Sequence, residues 1–252
     1  VGAATFTVNR TTDAGDTNPG DGFCGGPLGP CSLRQAIQEA NALPGADAII
    51  LPAGTFLLTS VGQDEDAAAT GDLDVLEDLE IVGAGSSVTV ISGGDADRVL
   101  DLHAAGARPT ELRLRHVTVT RGAALPSSTK VGGGIRVRSS TTLRASHCRI
   151  AGNAANAGGG IYLDGEDAEA DIRYSTLDSN SSIDAGHTAC FGPAIADRPI
   201  EGERLSLLYS TVSGNVTEGV TPGAITLDFA EPVSVIGSTI TLSKQYAPLI
   251  TT

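Results

Sequence analysis

Leu112-Arg113-Leu114-Arg115-His116-Val117-Thr118-Val119 and Leu143-Arg144-Ala145-Ser146-His147-Cys148-Arg149-Ile150 are two copies of one pattern. Each alternates apolar and polar residues, breaks step at a histidine, and resumes. Alternation at period 2 on both sides of a bend means two short strands with one face buried. The pattern returns three more times, so that Leu112, Leu143, Ala170, Leu205 and Val233 form one apolar column. Leu114, Ala145, Ile172, Leu207 and Val235 form a second. The copies are about 27 to 35 residues apart, a solenoid period with variable loops.

Working outward from the bend, Ile135, Ile161, Ile195 and Ile225 each follow a Gly/Pro/Ala turn and mark another sheet. Asn153, Asn180 and Asn215 recur at the next corner. Asn tolerates left-handed backbone angles there, and stacked amides can hydrogen-bond along the axis. Short strands stacked in register make an all-β, parallel β-helix, and crossover chirality favours the right hand. An antiparallel sandwich would want hairpin turns every 8 to 12 residues or so. The constant offsets inside each repeat disfavour it.

The N-terminal part differs. Thr5-Phe6-Thr7-Val8 alternates like a strand, and a Gly/Asp/Asn/Pro-rich loop spans 13–22. The segment 32–43 reads as the one helix, with Ser32 as N-cap, Gln35 completing a capping box, and Pro44-Gly45 ending it. Residues 1–48 are therefore expected to cap the coils of 49–252 as part of one continuous domain. Cys31-Ser32-Leu33-Arg34-Gln35-Ala36-Ile37 resembles the signature of the CSLREA domain, a module of bacterial secreted and surface proteins. Asp16-Thr17-Asn18-Pro19-Gly20-Asp21-Gly22, Leu51-Pro52-Ala53-Gly54-Thr55, Gly71-Asp72-Leu73-Asp74-Val75 and Ile81-Val82-Gly83-Ala84-Gly85 are similar to further motifs of that family, in the same order. Gln35 stands where the family usually has Glu, which keeps the capping role. The resemblance implies a secreted right-handed parallel β-helix with no settled activity.

Composition narrows the function classes. Of 252 residues, 30 are acidic and 16 basic, for a net charge of −14. Such a field repels nucleic acid, and the longest apolar runs are far too short to span a bilayer. The chain begins at Val1 with no initiator Met, which reads as signal-peptide removal or as trimming. Cys24 and Cys31 flank a Gly/Pro loop that can bring their sulfurs together. A disulfide there points to an oxidising compartment, with two buried free thiols as the alternative. Cys148 and Cys190 are a candidate second pair. The expected location is extracellular or on a bacterial surface.

Four sets of outward residues invite a ligand or a charge pattern. His116, His147, Tyr174 and Tyr209 form a ring column able to act as a glycan platform or simply to shield the core edge. Asp13, Asp16, Asn18 and Asp21 have calcium-like spacing, although the match to an EF-hand is incomplete and an Asx-turn loop would look the same. Arg138, Asp164, Arg198 and Asp228 alternate in sign and read as a surface ion-pair ladder. The irregular stretch Asp95, Asp97, Arg98, Asp101, His103 is where a catalytic group would hide, but it reads more as a family strand. Elsewhere acids sit singly, as Asp171 and Asp178 do, so no catalytic residue is assigned.

These readings favour a non-catalytic surface, adhesive or structural protein. No second cap is visible after the last coil, so either end-to-end self-association, as into filaments, or truncation from a longer surface protein is expected. The alternative is a carbohydrate-active enzyme or glycan-binding module that uses the ring column.

Overall fold

A computed structural model describes residues 2–26, 29–62, 65–106, 108–124, 131–183, 192–197, 202–218, 224–226, 233–241 and 244–246. Its strands form four parallel sheets of eight, seven, six and five strands. We call them sheets A to D in that order. One coil shows how they connect. Thr141–Ser146 lies in sheet A, Arg149–Ala151 in sheet B, Ala154–Ala155 in sheet D and Ile161–Asp164 in sheet C. Glu169–Arg173 then returns the chain to sheet A, beside Thr141–Ser146. The protein is a parallel β-solenoid.

The register follows the apolar columns. Leu143 pairs with Leu112 on one side and Ala170 on the other, and the column continues through Leu205 to Val233. Ile135, Ile161, Ile195 and Ile225 pair in sheet C as their spacing predicts. Inward residues of the middle coils are fully buried, among them Leu112, Ile135, Ile172 and Leu207.

Polar ladders hold the two corners. Asn153 Nδ2 donates to Asn180 Oδ1 at 3.0 Å, and Asn180 Nδ2 donates to Asn215 Oδ1 at 3.0 Å. Asn180 and Asn215 are fully buried. At the other bend the Cys148, Ser175 and Ser210 N–H groups donate to Ser175, Ser210 and Ser238 Oγ in turn. Each strand end is thereby tied to the next coil by a side chain that satisfies a buried backbone donor.

The N-terminal end is closed by the helix Leu33–Ala42, whose capping box between Ser32 and Gln35 is complete. Leu33, Ala36, Ile37 and Ala40 are buried, and the helix packs on Asp47–Leu51 and Leu73–Val75. Its polar residues bind the surrounding loops. Arg34, with no exposed surface, donates to both Asp13 oxygens and to the carbonyls of Ala68, Gly71 and Asp72. All five guanidinium N–H groups are used, which is what keeps a buried cation tolerable. Glu39 accepts from the Gly20 and Gly22 N–H groups, and Asn41 bonds the Asp74 carbonyl and the Leu76 N–H.

Candidate functional site

The densest chemistry lies on the outer face of sheet C near the capped end. Strand pairing places Asp74 beside Asp101 and Asp101 beside Arg136. Arg98 Nη1 bridges Asp72 at 2.7 Å and Asp101 at 2.8 Å. Arg138 Nη2 adds contacts to Asp101 at 2.7 Å and to Asp66 at 2.8 Å. His103 Nε2 stands 3.3 Å from Asp74 Oδ1 and 3.8 Å from Asp66 Oδ1. The irregular stretch singled out in the sequence thus splits. Arg98, Asp101 and His103 converge with Asp72 and Asp74, while Asp95 turns away to an exposed pair with Arg121.

Burial sets the charges apart. Desolvation pushes the Asp72 carboxyl up to about 7, against the pull of Arg98 and with the push of its carboxylate neighbours. Asp74 is raised by burial despite His103 and the Ala68 N–H. Asp101 is buried too, yet Arg98, Arg138 and Arg136 hold it below its ordinary value. Divergent acidities of neighbouring carboxyls suit acid–base chemistry. Access does not, because Asp72, Asp74 and Asp101 are each at most 4% exposed. Packing next to Asp72 is tight, since at Gly71 (φ +61°) a Cβ would lie 2.7 Å from Asp97 Oδ2. A glycan chain cannot reach these carboxylates in this arrangement.

The ring column forms as its spacing predicts. His116, His147, Tyr174 and Tyr209 all occupy the left-handed region, with φ between 48° and 58°. Neighbouring ring centroids are 5.0, 5.2 and 5.4 Å apart, and the planes are nearly parallel. Left-handed non-glycine residues cost about 1 kcal/mol each, which stacking offsets in part. The final bend is Gly237, at φ +59°, and a Cβ there would meet the Tyr209 ring at 2.5 Å. The faces are therefore spent on one another, and ring edges and the half-exposed tyrosines meet solvent. Beside the column, Arg113, Arg115, Arg144 and Arg173 line a groove of about 330 Å³ on sheet A together with Glu80 and Asp171.

Other sequence readings land differently. Asp13, Asp16, Asn18 and Asp21 do not converge on a point. Asp13 is consumed by Arg34 and by the Thr59 and Ser60 N–H groups. Asp16 and Asp21 accept from N–H groups two residues ahead, as Asx-turns do. The Cys24–Cys31 disulfide is formed. Cys148 is a free buried thiol raised to about 11 by desolvation. Cys190 lies outside the described residues, as do Arg198 and Asp228. Arg138 and Asp164 are register neighbours, but their charges pair diagonally, with Arg138 going to Asp101 and Arg136 to Asp164. A long guanidinium stem reaches the neighbouring coil, so these two described arginines pair across the register rather than along it.

The carboxylate cluster was only half visible in the sequence. Aligning Leu73, Leu100 and Ile135 as inward equivalents would have placed Asp74, Asp101 and Arg136 in one outward column.

Among the described residues no helix is long and apolar enough to cross a membrane. Comparison with protein-family models, curated proteins and solved structures finds no match for this chain.

Proposed function

We propose that this chain is an extracellular, non-catalytic β-helix of surface-protein character, structural or adhesive, which associates through its C-terminal coil. The observation that carries the proposal is the state of the core columns at that end. Val233 and Val235 continue the columns of Leu205 and Leu207, which are 1% and 0% exposed, yet they are 47% and 46% exposed themselves. Ile236 and Ile240 are exposed beside them. Among the described residues no strand pairs with the outer edge of Val233–Ile236, and an exposed apolar edge is a template for another strand. The disulfide and the CSLREA-like motifs support the extracellular placement and the kinship with bacterial surface proteins. Negative-stain microscopy and light scattering test the idea. Strings or end-to-end dimers that dissolve in the double variant Val233→Lys/Val235→Lys support it, and a monodisperse wild-type monomer at high concentration overturns it.

A second reading rests on the ring column and the arginines beside it. Stacked ring edges next to Arg113, Arg115, Arg144 and Arg173 suit an acidic glycan, with guanidiniums reading carboxylate or sulfate groups. Binding of acidic oligosaccharides that vanishes in His147→Ala would favour this reading over assembly.

A further inference from the structure

Asp66, Asp74 and His103 each offer one ligand atom, and these atoms lie within 4.8 Å of one another. Asp74 is fully buried, and its Oδ2 accepts the Ala68 N–H. Its Oδ1 and His103 Nε2 are buried atoms without a well-aligned hydrogen bond. Yet these two atoms face each other across 3.3 Å. An imidazolium–carboxylate pair would close to a charge-assisted hydrogen bond of about 2.7–2.9 Å. Two atoms bound to one tetrahedral ion with bonds near 2.1 Å stand about 3.4 Å apart. The 3.3 Å gap matches the second spacing more closely than the first.

The surrounding charge agrees. Asp66, Asp72, Asp74 and Asp101 face Arg98 and Arg138, with Arg136 reaching Asp101 at 3.6 Å. The anions outnumber the guanidiniums. Asp66 shares its Oδ1 with Arg138, an outer contact of the kind that orients a ligating carboxylate. The Asp66 side chain is 58% exposed, which gives an ion a route from solvent.

We propose that His103 Nε2, Asp74 Oδ1 and Asp66 bind a divalent first-row ion of the zinc class, pinning the segment 65–74 over sheet C. One imidazole with two carboxylates suits zinc better than calcium, which prefers oxygen throughout. The site is distinct from the Asp13–Asp21 loop and goes beyond the structural reading above.

The full-length chain, stripped with chelator and dialysed, is titrated with ZnCl2 by calorimetry. One ion per chain is expected, with affinity at least about tenfold weaker in His103→Ala and in Asp66→Asn. Because a variant can fail to fold, Co2+ is also added to the wild-type chain and followed by proton NMR. Strongly shifted ring protons from His103 are expected. Absence of saturable zinc binding, zinc affinity unchanged in folded His103→Ala, or cobalt binding that leaves the His103 ring unshifted overturns the proposal.

Discussion

The two ends of this solenoid meet the same physical problem and differ in how it is met. At the N-terminal end Ile49 and Leu51 are at most 1% exposed beneath the helix Leu33–Ala42. At the C-terminal end Val235, which ends the column that begins at Ile49, and Val233 beside it are nearly half exposed. An apolar column does not by itself make a core, because each residue is buried by the coil stacked over it. The helix supplies that cover at one end, with Arg34 joining Asp13 to the carbonyls of residues 68–72. Among the described residues nothing equivalent lies over the last coil.

That comparison is easiest to break at the clamp. Arg34→Leu leaves the Asp13 carboxylate buried without its cation and three carbonyls without donors. A loss of about 3–5 kcal/mol is expected in chemical denaturation, and a loss below about 1 kcal/mol would mean that the cap is not held by this pair. Next in size is a contrast within one column. Leu207→Ala should cost about 2–5 kcal/mol, while Val235→Ala should cost clearly less in the monomer because little burial is lost there. Equal losses would show that the last coil is covered in solution.

Acid sharpens the difference further. Asp13 is opposed by burial, yet its bonds to Arg34 and the Ser60 and Thr59 N–H groups win and lower its pKa. A depressed acid stabilises fully above its ordinary value near 3.8 and loses that contribution as pH falls through the folded value. The cap should therefore loosen first below pH 3.8, seen as early hydrogen exchange in 33–42 while the Asn153–Asn215 ladder stays protected. Uniform exchange along the chain would contradict this order. The smallest effect concerns Cys148, whose thiol is both buried and raised to about 11. Peptide mapping after alkylation at pH 8 should find it unmodified until the chain is denatured, and rapid labelling would mean that the middle coils open readily.

Much of this was legible in the residues themselves. The two apolar columns, the Asn corner and the ring stack each repeat at fixed offsets, and parallel stacking converts an offset into a neighbour. The cap was readable through Ser32, Gln35 and Pro44, because capping is local. The Arg34 clamp was not, since Asp13, Ala68, Gly71 and Asp72 reach it from loops of irregular length. The sheet C cluster escaped for the same reason, with Asp66 supplied from a loop that belongs to no repeat. In the calcium-like spacing of 13–21, Asp13 is taken by Arg34 while Asp16 and Asp21 form Asx-turns, because spacing reports ligand order and not where each carboxylate points.

Periodicity therefore determined the solenoid, its register and its stacked columns, for these depend on local alternation repeated at each coil. Tertiary structure alone decided which charges meet and which carboxylates are buried together. Those outcomes depend on how long side chains and aperiodic loops reach across coils, and one-dimensional spacing carries no information about that reach.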